Sequence, residues 1–212
     1  MTKETDHLET LSEIRSMMER SSRFISLSGL SGVFAGVFAL IGATAVYIYL
    51  DLNISSPAYY EHAINEKGEP DLEFYTFFFI DALSVLIASL AIGFILTIKN
   101  AKQKGRPVWD ATSKRLLVNM MIPLVAGGLF CLVLLYHGLI GLVPPATLIF
   151  YGLSLLNASK YTLNDIRYLG IFQIILGLVA SIYIGYGLLF WAFGFGILHI
   201  LYGVVMYNKY ER

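Results

Sequence analysis

Apolar positions in this chain gather into six long runs separated by short polar breaks, and that alternation predicts six helices. The runs fall at about residues 27–50, 74–98, 116–136, 144–157, 169–184 and 188–207. About 20 apolar residues suffice to cross a hydrocarbon core ~30 Å thick. Inside hydrocarbon the backbone has no water to bond, so each run satisfies its own N–H and C=O groups by coiling. The predicted fold class is all-α, a polytopic membrane bundle of six transmembrane helices arranged as three hairpins. Residues 1–26 pattern differently. Leu8, Leu11, Ile14 and Met18 recur at three- and four-residue intervals among Glu9, Glu13, Arg15 and Glu19. That spacing predicts an amphipathic helix lying on the membrane face. Its length and its acids set it apart from a signal peptide.

The breaks orient the bundle. The connection after the first run carries Asp51, Glu61, Glu66, Glu69, Asp71 and Glu73 against Lys67. The next connection reverses the sign, with Lys99, Lys102, Lys104, Arg106, Lys114 and Arg115 against Asp110. Lys and Arg in short loops stay on the cytoplasmic side, so the basic loop and the amino terminus are expected inside and the acidic loop outside. Lys209 and Arg212, in the tail 208–212, put the carboxyl terminus inside too. Pro144 and Pro145 open the fourth helix, where a missing N–H costs nothing. Residues 164–168 read as a cytoplasmic turn, and Gly185-Tyr186-Gly187 as an external reversal.

Composition agrees with this reading. Hydrophobic residues make up 57% of the chain and charged ones 14%, against roughly 25% charged in soluble domains. The 15 basic and 15 acidic residues cancel, so no global basic field marks nucleic acid as a partner. Six spans leave no room for a soluble catalytic domain. The single cysteine, Cys131, excludes an intrachain disulfide.

The helix pairs echo one another. The fourth helix closes with Tyr151-Gly152 and Asn157, the sixth with Tyr202-Gly203 and Asn208, and the second gives a weaker version at Gly93. The first helix of each pair carries an interior glycine, namely Gly36, Gly128 and Gly177. With Gly32, Gly196 and Gly203 these are the candidate helix-packing residues. Gly32-x3-Gly36 suits close contact either inside the bundle or between protomers of a homo-oligomer, and internal packing is the preferred reading. The last pair, with Gly170-x6-Gly177, the Gly-Tyr-Gly reversal and Gly196-x6-Gly203, is similar to the glycine-spaced hairpin of the HdeD-type six-helix proteins of the bacterial inner membrane, associated with acid resistance. The segment 144–210 also resembles a family of small uncharacterised bacterial membrane proteins. The chain departs from the HdeD unit at the reversal, which lacks the usual proline, and in its long first external loop. The resemblance implies residence in the bacterial cytoplasmic membrane and a stress-related role. It brings no catalytic or binding residues.

Candidate chemistry is sparse. Asp81 is an acid inside a span, and a carboxylate in hydrocarbon marks a paired or functional group. Its expected partner is His199, midway along the last helix, which would make a proton-responsive intramembrane pair. His62 and His137 could join Asp81 in a metal site only on paper, since no short ligand spacing supports one. Gln173, Asn119 and Asn157 read as bridges between helices. No nucleophile-and-base pair or phosphate loop is visible, so neither an enzyme nor a cofactor is expected. The basic residues Lys99, Lys102, Lys104 and Arg106 are suited to anionic lipid. The expectation is a non-enzymatic membrane protein with a structural, sensory or stress-related role. The alternative is a small transporter or channel with Asp81 and His199 on its path.

Overall fold

A computed structural model describes residues 27–52, 58–65, 67–105 and 107–212. The amphipathic segment 1–26 and Arg106 lie outside the described residues. Five long helices form α1 (Gly29–Tyr49), α2 (Leu72–Gln103), α3 (Ala111–Tyr136), α4 (Val143–Ala158) and α5 (Asp165–Ile182). The sixth span is composite. A short α6 (Gly187–Trp191) passes into a π-helical segment (Ala192–Leu198) and then α7 (His199–Tyr210). Six helical stretches are long and apolar enough to cross a membrane. The chain is thus an all-α, multi-pass bundle of membrane character.

Several helices outrun the apolar runs that forecast them. At ~1.5 Å per residue, the 32 residues of α2 measure about 48 Å, well beyond the hydrocarbon core. A helix ends where its backbone is capped, not where lipid ends. Asp71 accepts from the N–H groups of Glu73 and Phe74, so α2 starts at Leu72. Asp110 and Ser113 form a reciprocal capping box that starts α3 five residues before its apolar run. Residues 165–168, expected as a turn, are the first turn of α5.

Taken in chain order, each span packs antiparallel on the next, and the last span closes back on α1. One step is missing, because α2 and α3 make no extended contact. The tightest contacts are not within hairpins but between them. Against α4, Gly170 and Gly177 of α5 meet Gly152 and Pro145. Against α1, Gly203 and Gly196 of the last span meet Gly29 and Gly36. All four pairs of positions are seven residues apart, two helical turns, so each seam has two crossing points on one face. Gly32 lies in the second seam as well, with the Gly203 Cα 3.3 Å from where its own Cβ would stand. The Gly32–Gly36 face is therefore spent inside the bundle, and the sequence ground for a homo-oligomer at that face goes with it.

Gly128 is a correction. A Cβ there would meet nothing within 4 Å, and the same is true of Gly93 on α2. Both belong to the step of the ring that stays open. The packing glycine of α3 is its neighbour Gly127, which abuts the Phe150 ring of α4. One residue is ~100° of helix rotation, enough to exchange a packed face for a free one.

The α3–α4 pair is held by a repair. Pro123 sits inside α3 and has no N–H to give the carbonyl of Asn119, four residues back. Asn157 of α4 donates its Nδ2 to that oxygen at 3.0 Å, and Ser154 donates to the carbonyl of Met120 at 2.6 Å. Asn157→Leu is expected to cost ~1–3 kcal/mol by orphaning a buried carbonyl. The cost should shrink in a Pro123→Ala background, where residue 123 regains an N–H for Asn119. Thermal unfolding of the four proteins in detergent measures this coupling, and an equal cost in both backgrounds would refute the repair.

The two ends of the bundle differ. On the acidic side the 3-10 helix Tyr59–Ala63 folds over the end, packing with Val46, Phe74, Ile140 and Leu188. Tyr59 donates its hydroxyl to the Ile140 carbonyl at 3.2 Å, and burial pushes its phenol far above the usual range. On the basic side the final residues act as a clasp. Lys209 and Tyr210 both bond Asp165 at the start of α5, at 2.9 and 2.6 Å. The Glu211 carboxylate receives Ser28 Oγ and the Gly29 N–H at the start of α1, where a helix presents unpaired donors and positive charge.

Candidate functional site

Two buried polar side chains, Gln173 and His199, converge on one carbonyl. Ala192–Leu198 contains Gly194 and Gly196, and its wider π turn belongs to a class of helix irregularity found often at functional sites. The Gly194 oxygen accepts from Gln173 Nε2 of α5 at 2.8 Å and from His199 Nδ1 at 2.9 Å. A carbonyl can only accept, so Nδ1 carries a proton, and in a neutral ring Nε2 is then bare. Tyr151 of α4 therefore donates its hydroxyl to Nε2, at 2.8 Å. Both ring nitrogens are engaged, and in the neutral ring these contacts fix one tautomer. Gln173 Nε2 also comes within 3.5 Å of Nδ1, but both are donors aimed at the same oxygen.

Aromatic rings close the site. Phe195 stacks on His199 at 5.7 Å between centroids with 13° between planes, and Tyr151 and Trp191 lie 4.9 and 5.0 Å from Phe195. His199 is 6% exposed and Gln173 is 0% exposed. The Gln173 Oε1 is buried without a conventional partner among the described residues. It lies 2.6 Å from where a Gly194 Cβ would stand, so only a glycine C–H can face it, a weak C–H···O contact.

Asp81 is elsewhere. Its carboxylate lies on α2 against Gly42 of α1, with the oxygens 3.1 and 3.3 Å from a Cβ built there. It is half-buried and makes no hydrogen bond or ion pair among the described residues. The expected Asp81–His199 pair does not form, because α1 stands between their helices. The α1 face at Gly29, Gly32 and Gly36 meets the last span, while Gly42, about 240° further round from Gly36, meets Asp81 and Val85.

The other candidates disperse. His62 lies in the 3-10 helix on the acidic side, and His137 ends α3, edge-on to Tyr136. Among the described residues no group of three or more His, Cys, Asp or Glu is placed to hold a metal. Lys99 and Lys102 are exposed on the last turns of α2, Lys104 follows as its cap, and Lys114 lies 5.9 Å from the Trp109 ring at the start of α3. Tyr151 and Gly194 went unmarked as chemistry in the sequence. A tyrosine in a repeated helix-end pattern and a glycine in a glycine-rich helix carry no signal of a shared histidine. No protein-family model, curated protein or solved structure matches the chain.

Proposed function

We propose that this chain is a non-enzymatic, multi-pass protein of the bacterial cytoplasmic membrane, both ends inside, that works as a structural, sensory or stress-related component and moves no substrate. The observation that carries the reading is the closure around His199. A transport path would have to reach a titratable group from water, yet this imidazole has both nitrogens bonded and rings of Tyr151 and Phe195 against it. The glycine seams on either side bring backbones into contact and leave no space for a channel along those two seams. The acidic connection folded over one end and the basic connection at the other support the inside-out assignment. The stress-related role rests on the HdeD-like glycine spacing, which the seams put to use.

Transport remains as the second reading because of Asp81, an unpaired carboxylate within a span. The test is proton and cation flux into proteoliposomes holding the wild type or Asp81→Asn. No flux above empty vesicles is expected from either. Flux in the wild type that Asp81→Asn abolishes would reverse the order of the two readings.

A further inference from the structure

Ionisable side chains inside a span as a rule face the bundle interior or pair with one another. Among the described residues Asp81 does neither. Its carboxylate touches Gly42 of α1, and Gly42 lies on a border. One way round α1 from Gly42, by ~40–100°, come Val46, Ala39 and Ala43, all buried. The α1 glycines that meet the last span lie that way too. The other way, by ~100–120°, come Ile41 and Ile48, 61% and 76% exposed. The same border runs along α2. Phe78, ~60° to one side of Asp81, packs into the cluster around Tyr59, while Ser84, ~60° to the other, is exposed. The exposed flank has the same sense of rotation on both helices, and the helices are antiparallel, so both flanks fall on one side of the pair. Tyr49 and Phe77 stack across that side at 3.8 Å, about one turn further out. With α2 centred on a ~30 Å core, about 9 Å of helix stands out at each end, and Asp81, ~14 Å from Leu72, lies inside the core.

That side of α2 is shaped for a neighbouring helix. Phe77, Asp81, Ser84, Ala88, Ala91 and Ile95 recur at four- and three-residue steps, the spacing that keeps one stripe turned toward a partner. Ser84, Ala88 and Ala91 are small enough for a second backbone to come close. Apart from the cluster at its outer end, α2 packs among the described residues on α1 and makes no other extended contact. The stripe alone would suit any neighbour. The unpaired carboxylate within it sets the chemistry, which is cationic. Every described Lys and Arg except Lys67 belongs to the basic end, and Lys67 precedes α2 in the acidic connection. A second copy threaded the same way brings no Lys or Arg to this depth either.

We propose that the outer flank of the α1–α2 pair docks a membrane-spanning helix of a different protein, one carrying a Lys or Arg at the depth of Asp81. The small stripe lets that helix approach, and its cation pairs with the carboxylate that this chain leaves unmatched. The proposal deepens the structural reading and rests on it, since an acid on the outer side of the pair serves assembly and not a path through the bundle. Flux tests that reading and helix association tests this one, so each can fail alone.

The test is energy transfer, in phosphatidylcholine vesicles, from the labelled protein to a labelled synthetic helix of Leu and Ala with one Lys at the matching depth. The Lys helix is expected to associate roughly tenfold more tightly than the same helix with Leu in that place. Asp81→Asn should erase the difference. Ser84→Phe and Ala91→Phe, bulky changes at exposed positions of the stripe, should each weaken association while the carboxylate stays. Leu90→Phe, on another exposed face of α2, should not. These three variants keep the test standing should Asp81→Asn not fold. Equal association of the Lys and Leu helices with the wild type overturns the proposal, as does a preference that Asp81→Asn retains. Association of two differently labelled copies of the protein that depends on Asp81 would give the flank to a second copy and overturn it too.

Discussion

Gly203→Val and Gly152→Val should each leave no folded protein in the membrane fraction, whereas Gly128→Ala should fold and unfold like the wild type. A Cβ at Gly203 would stand 2.6 Å from the Val33 nitrogen and 2.7 Å from the Gly29 oxygen, and one at Gly152 would stand 2.6 Å from the Gly170 oxygen. These obstacles are backbone atoms and cannot swing aside as a side chain can. Overpacking a well-filled core costs ~1–3 kcal/mol where neighbours yield. Here two helices must separate along a whole seam, and the loss approaches the ~5–15 kcal/mol that stabilises a typical domain. Gly128→Ala meets open space and replaces the poorest non-proline helix former with the best, so its effect is neutral to slightly stabilising. Gly127→Ala, one residue away, drives a Cβ into the Phe150 ring and should cost measurably more. Detergent size-exclusion profiles and Tm separate these outcomes. If Gly128→Ala proves worse than Gly127→Ala, the register of α3 on α4 is wrong.

That contrast also shows how far the sequence could be read. Hydropathy alone forecasts six helices, because the physics behind it, the cost of an unpaired backbone in hydrocarbon, acts on each run separately. Small residues marked the faces at Gly36, Gly177, Gly196 and Gly203, by three- and four-residue spacing on the first helix and by seven-residue spacing on the last two. Which helix meets which face is a property of the whole ring. Gly128 carries the same local signal as Gly36 and Gly177, yet a Cβ there would meet nothing within 4 Å. Asp81 and His199 were an acid and a base inside spans, and depth along the helices left their pairing open. Rotation decided against it. Six residues separate Gly36 from Gly42, and that turn sets the aspartate and the histidine against different faces of α1. Helix ends were misplaced for a related reason, as Asp71 and Asp110 fix them by capping several residues beyond the apolar runs.

The histidine site should respond to mutation as a closed network. His199→Leu removes the acceptor of the buried Tyr151 hydroxyl, while the Gly194 carbonyl keeps Gln173. One orphaned hydroxyl and the repacking of a stacked ring together should cost ~2–4 kcal/mol. Tyr151→Phe alone leaves Nε2 without a donor and should cost ~1–3 kcal/mol. With both changes no orphan remains, so the double variant should fall short of the sum by ~1–2 kcal/mol. Gln173→Leu is the informative comparison. It deletes one of two donors to Gly194 but also deletes the partnerless Oε1, so it should be milder than His199→Leu. Reversible unfolding in detergent would give all four values. Strict additivity between positions 151 and 199 would mean that the 2.8 Å contact contributes nothing. A sealed network predicts that damage here appears as lost stability at every pH where the protein folds. A site built to meet a ligand would instead shed activity while the fold survived, and that split is what an open path to His199 would require.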